Sequence, residues 1–218
     1  MRKNLMGAAI AALAFGAAVP ASAAITWTDW TQTGANTVFG TAGGTGVTYT
    51  GSYIFAQTNG GTNYWNTGNP WDGTVAPPPS SDIIALNTAG TKTVTFGNTV
   101  NDVYFALTSW QGQNNVTFNK SFTQIGWVRG CGFWGCGLLT NVTPNSFTSV
   151  GESHGILKFA GPINSLTFQD SNDENWHGFQ IGIGGAVPEP STWALMIGGF
   201  GAIGGAMRMR RTRKLATA

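Results

Sequence analysis

The feature that most constrains this chain is an alternation of apolar and polar residues with a period of two. It recurs in short runs: Ile25-Thr26-Trp27, Val47-Thr48-Tyr49, Tyr53-Ile54-Phe55, Lys92-Thr93-Val94-Thr95-Phe96, Val103-Tyr104-Phe105-Ala106-Leu107 and Val116-Thr117-Phe118. Phe122–Ile125, Leu157–Phe159, Ser165–Phe168 and Phe179–Ile183 continue it. A strand turns successive side chains to opposite faces, so each run puts its apolar set on one side of a sheet. Gly, Asn, Asp or Pro separates nearly every pair of runs, and these residues favour turns. So many short strands at this spacing predict an all-β fold, a sandwich or a barrel. We expect a jelly-roll-like antiparallel β-sandwich. Composition disfavours long helices: charged residues make up 9% of the chain, against about 25% in ordinary soluble domains, and Thr and Gly are poor helix formers. Disorder is disfavoured too. Eight of the nine Trp lie between Ile25 and Ala186, and disordered segments are depleted in aromatics.

The two ends do not share this pattern. Arg2 and Lys3 precede an apolar stretch from Leu5 to Val19, and Ala21-Ser22-Ala23 follows. That order predicts a signal peptide over residues 1–23, cut by signal peptidase. At the other end Val187-Pro188-Glu189-Pro190 is a stiff spacer, because proline fixes φ and withholds a backbone donor. Ser191 and Thr192 are placed to cap a helix. Trp193 to Met207 is uncharged, and Arg208, Arg210, Arg211, Arg213 and Lys214 follow it. That run is short of the about 20 residues a span wants. Snorkelling arginine stems and an interfacial Trp make a marginal transmembrane helix feasible.

Pro188-Glu189-Pro190, then Ser191-Thr192-Trp193-Ala194-Leu195, a Gly-rich apolar stretch and Arg210-Arg211 resemble a PEP-CTERM protein-sorting signal. The resemblance covers 187–214. It implies cleavage near the Pro-Glu-Pro motif by an exosortase, a membrane-embedded transpeptidase. The chain would be exported, held transiently in the membrane by its C-terminal helix, and delivered to the cell surface or an extracellular matrix. It implies an address and no activity. The expected organisation is therefore a signal peptide at 1–23, a β-sandwich at 24–186 and a sorting signal at 187–214.

Between Ile25 and Val187 there are four bases, Lys92, Lys120, Arg129 and Lys158, and eight acids, for a net charge of −4. The +2 of the whole chain comes from its two ends. A basic surface for nucleic acid is absent from the body, which argues against that partner.

Four features of the body bear on chemistry. Cys131 and Cys136 sit in Gly130-Cys131-Gly132-Phe133-Trp134-Gly135-Cys136-Gly137. An exported chain meets oxidising conditions, so we expect a disulfide, with the glycines letting so small a loop turn. A zinc site is the rival, and it lacks partners at ligand spacing. Thr58–Ser81 is long for a connection and carries Tyr64, Trp65 and Trp71. These rings either lie on the sheet as a lid or stay exposed; with Trp134 they are the candidate ligand contacts. Asp170, Asn172 and Glu174 alternate as calcium ligands do, but Asn175 stands at the sixth position and Ile181 at the twelfth, where an EF-hand has Gly and Glu. A turn held by Asx hydrogen bonds is the plainer explanation.

Catalysis finds little support. His154 and His177 are the only imidazoles and read as turn residues. Gly151-Glu152-Ser153-His154-Gly155 carries the letters Gly-x-Ser-x-Gly, but with long helices disfavoured it is not expected to form the strand-to-helix elbow of a hydrolase. Glu152 and Glu174 are the only glutamates of the body, and no motif marks them as a hydrolytic pair. Trp176-His177-Gly178-Phe179-Gln180-Ile181-Gly182 resembles the closing strand of many PEP-CTERM cargo domains and jelly-roll modules, with Trp176 as a core plug. We therefore expect a non-enzymatic, cofactor-free surface or matrix protein. The alternative is a carbohydrate-binding module that associates with exopolysaccharide, and a secreted hydrolase is a distant third.

Overall fold

The computed structural model describes residues 24–65, 75–111, 114–126 and 131–185, and near the C-terminus 196–201, 203–204 and 208. The chain divides into a β domain, Ala23–Gly185, and a second unit made of Met1–Ser22 and Ala186–Ala218. The expected signal peptide and the motif Pro188-Glu189-Pro190 lie outside the described residues, as does Trp71.

The β domain has thirteen strands. They are β1 (Ile25–Trp27), β2 (Asp29–Gly34), β3 (Thr37–Ala42), β4 (Thr45–Thr50), β5 (Phe55–Gln57), β6 (Ile83–Leu86), β7 (Gly90–Trp110), β8 (Val116–Phe118), β9 (Thr123–Gly126), β10 (Gly137–Thr140), β11 (Ser146–Gly151), β12 (Ser153–Asp170) and β13 (His177–Gly184). All pairings are antiparallel. Gly43 and Gly44, both at positive φ, form the two-residue turn that joins β3 to β4. Such turns match the right-handed twist of the strands they link.

Two strands dominate. β7 runs for 21 residues and β12 for 18, and they pair with each other along nearly their whole length. The sequence pattern divides each into two strands, at Asn101-Asp102 and at Gly161-Pro162. Here those residues bend the ladder without ending it. The register shifts between Ala160 and Ser165, and Gly161 takes a positive φ. The first part of β7 carries β4 on its free edge, and the later part carries β13. On the far side β12 carries β8 near Asp170 and β9 near Leu157.

The bend brings the two halves face to face. Phe168 is opposite Lys92 in the ladder, and Phe105 lies thirteen residues further along β7. In a straight ribbon that separation would be about 40 Å. The rings of Phe105 and Phe168 are instead 5.2 Å apart, edge to face. The main core fills the fold, with Trp30, Phe96, Phe105, Trp110, Phe118, Phe159, Phe168 and Phe179 among its buried members. Hydrogen bonding joins all thirteen strands into one sheet network. The expected division into two separate sheets is therefore not what the pairing gives, because β7 and β12 pass continuously through both halves.

β6, β13 and the end of β7 lose the alternation and are buried on both faces. A second cluster covers their outer face, with Trp65, Ile83, Tyr104, Ala106 and Ile156 at its centre and Trp27, Phe55, Tyr64 and Trp176 packed around it. Among the described residues no helix is long and apolar enough to cross a membrane. The described helical positions are 196–201, 203–204 and 208. The rest of the expected span, 193–195, 202 and 205–207, lies outside the described residues.

Candidate functional site

Among the described residues of the β domain, Trp134 of the disulfide loop is the most exposed aromatic. Cys131 and Cys136 are bonded, and the backbone between them closes through Gly132 N–H donating to Gly135 O at 2.6 Å. Its glycines serve close approach. None of Gly132, Gly135 and Gly137 has a positive φ. A Cβ on Gly132 would lie 1.9 Å from the His154 ring, and one on Gly137 would lie 2.5 Å from Val150 O. The loop is therefore pressed onto β11 and β12, and Phe133 and Trp134 within it stay partly exposed.

His154 is the peg beneath the loop. It lies on β12, 4% exposed, and is not a turn residue. Ser109 N–H donates to its Nδ1 at 3.3 Å, so that nitrogen is an acceptor. The Thr108 hydroxyl, 3.0 Å away, donates to the same atom. The proton is then on Nε2, which donates to Gly135 O at 3.2 Å. Burial holds the imidazole below its ordinary range, in keeping with a neutral ring. Ser109 itself takes a left-handed φ of 56°, where β7 and β12 slip register. Such a bulge re-aims side chains; here Trp110 turns into the core and donates from Nε1 to Gly178 O at 2.9 Å.

Phe133 and Trp134 are 40% and 56% exposed. Tyr64 packs edge-on to Phe133 at 4.8 Å and nearly parallel to Trp134 at 6.4 Å. Trp176 touches both Tyr64, at 5.0 Å, and Trp134, at 5.9 Å. Beside them opens a cleft of about 290 Å³ lined by Gln111, Trp134, Glu152, Glu174, Asn175 and Trp176. It is at the small end of ligand sites, with room for one sugar ring or a group of similar size.

From Glu174 in the cleft wall an alternating row of charges runs into the interior. Lys92 Nζ meets Asp170 Oδ1 at 2.5 Å, both side chains fully buried. Asp170 Oδ2 lies 3.2 Å from His177 Nε2. His177 Nδ1 lies 3.1 Å from Glu174 Oε2, at an angle too bent for a linear hydrogen bond. Burial alone would hold His177 neutral; the Asp170 hydrogen bond and the negative Asp170 and Glu174 beside the ring outweigh it and raise the imidazole above its ordinary range. His177 is thus a buried strand residue in β13, not a turn residue. Glu174 also accepts from Gln111 N–H at 2.8 Å. Burial first, and then the negative Glu174, push the Glu152 carboxyl up, against opposing pulls from Ser109 and His177.

This row accounts for the acidic turn. Asp170 is turned inward to Lys92 and His177, Asp173 accepts from Ala89 N–H at 2.7 Å, and Asn114 Oδ1 accepts from the backbone of Ser171 and Asn172. Both carboxylate oxygens of Asp170, and Oε1 of Glu174, are engaged by protein donors. Among the described residues no three His, Cys, Asp or Glu side chains are grouped as a metal would need.

Of the candidate contact residues, the structure brings Tyr64 and Trp134 together. Trp65 goes elsewhere: it is 1% exposed and donates from Nε1 to Asp82 O at 3.1 Å. Trp176, read as a core plug, is half-buried and walls the cleft. Sequence reasoning did not assign Phe133, Gln111 or Asn175 to a site. Nor did it join Glu152 to Glu174, whose only signal is that each lies two or three residues before a histidine.

The body is thus a β domain with an aromatic-walled, acidic cleft at one end of its sheet. The chain carries a PEP-CTERM protein-sorting motif at residues 186–211. The motif implies an exported protein that is processed by exosortase and sorted to the cell surface. No curated protein and no solved structure matches the chain.

Proposed function

We propose that this is a surface-sorted glycan-binding protein without catalytic activity, whose β domain holds exopolysaccharide in the matrix. The carrying observation is the cleft, where Trp134, more than half exposed, stands beside Tyr64 and Trp176 over polar groups. A sugar ring has an apolar C–H face that lies on an indole, and its hydroxyls need nearby donors and acceptors; Gln111, Asn175 and the carboxylates supply them. A binding role suits the histidines. His154 is used as a peg and His177 as a buried cation, so neither is offered to a substrate.

The folded-back ribbon of β7 and β12 supports a jelly-roll-like sandwich whose corners are made by bent strands. Signal peptidase would remove residues 1–23. The C-terminal helix would anchor the chain in the membrane until exosortase acts.

The test is retention on the producer's own exopolysaccharide. The protein recovered from its cells binds, and Trp134→Ala at unchanged fold does not. Equal retention of the two, or none by either, removes the cleft as a glycan site.

A further inference from the structure

We propose that the sugar this cleft selects carries a free amine, so that the ligand is a cationic, de-N-acetylated amino-sugar polymer. The proposal rests on the glycan-binding assignment above and narrows its substrate class.

Three observations carry it. First, the polar side chains of the cleft include two carboxylates, Glu152 and Glu174, and no described lining residue is basic. Second, these carboxylates are not equivalent. Glu174 has the buried His177 cation behind it and Lys92 and Asp170 beyond. That alternating row balances within itself, whereas Glu152 has no ion-pair partner among the described residues. Burial and the neighbouring Glu174 already disfavour its ionised form. An ammonium group in the cleft would relieve that cost, whereas a uronate or sulfate would add to it. Third, the other walls are the indoles of Trp134 and Trp176, with Tyr64 and Phe133 behind them. Aromatic faces attract cations through their quadrupole, and indole does so best. A cleft lined by two indoles and two carboxylates suits a cation joined to an apolar ring face. An amino sugar has both. The body as a whole, at −4, adds a long-range attraction for a polycation.

The test is binding of the full protein, purified in detergent from producing cells, to four immobilised probes: glucosamine oligomers, N-acetylglucosamine oligomers, galacturonate oligomers and polylysine. Glucosamine oligomers are expected to bind about tenfold more tightly than the acetylated ones, with the difference shrinking as salt is raised. Glu152→Gln, close in shape, should erase the preference, so that the free-amine and acetylated oligomers bind alike. Trp134→Ala should lose both. Equal binding of acetylated and free-amine oligomers, or a preference for the uronate, overturns the amino-sugar proposal and leaves the glycan assignment standing. Tighter binding of polylysine than of any sugar overturns it in favour of a cationic peptide. A wild-type protein that binds none of the four, nor its own exopolysaccharide, overturns both.

Discussion

Trp65 and Trp134 are both loop tryptophans with opposite roles. Trp65 is sealed in the second cluster, so Trp65→Ala should cost about 3–5 kcal/mol, the usual range for a buried large ring. Trp134 is mostly in water, so Trp134→Ala should cost about 1 kcal/mol or less. Urea unfolding of the two variants checks the contrast. Asp170 lies between Lys92 and His177 with all three side chains fully buried. Asp170→Asn leaves two cations facing a neutral amide, and removing one partner of a buried pair costs about 3–5 kcal/mol. The same urea series should place it beside Trp65→Ala. Tyr64 and Trp134 are legible in the sequence as loop aromatics. Their meeting is not, because it depends on a disulfide loop and a distant loop folding onto one spot. The charge row is also illegible: Lys92, Asp170 and His177 come together only through long-range pairing of β7, β12 and β13.

At the scale of elements, the disulfide loop and its peg form one unit. Closing a loop this short should contribute about 2 kcal/mol, so reduction lowers stability by that amount at most. His154 adds a pH dependence whose sign follows from its depressed folded value. As pH falls below about 6.5, the unfolded chain takes up the proton first, so the stability His154 contributes is full above that pH and lost below it. Amide exchange in 131–137 should speed up between pH 7 and pH 5 relative to the β7–β12 ladder. His177 has the opposite sign. Its folded value is raised, so its contribution is full below about pH 6.5 and fades as pH rises through the folded value. His177→Gln should therefore cost more stability at pH 6 than at pH 9; an equal cost would mean the ring is not held as a cation. Strand positions are legible because half-buried strands show their period. That Lys92–Phe96 and Val103–Leu107 are one strand is not. Asn101-Asp102 and Gly161-Pro162 have turn chemistry, and only the partner strand decides whether such residues end a ladder or bend it. β6 and β13 are buried on both faces, so their full burial cannot be read from alternation.

At the scale of the whole molecule, the motif at 186–211 supplies an address, and on the proposed reading the cleft supplies a separable grip on glycan. The address requires the C-terminal segment only until exosortase has acted. Peptides from Met196 onward should therefore be missing from protein recovered at the surface, and their persistence there would mean anchoring without processing. The grip belongs to the β domain and should outlast the tail. The most direct measurement of both together is fractionation of a producing culture into cells, exopolysaccharide matrix and medium, with mass spectrometry of the chain in each. Wild-type protein lacking its C-terminal segment should lie in the matrix, while Trp134→Ala, processed in the same way, should be released to the medium. Matrix retention of both forms in equal amount would contradict the account.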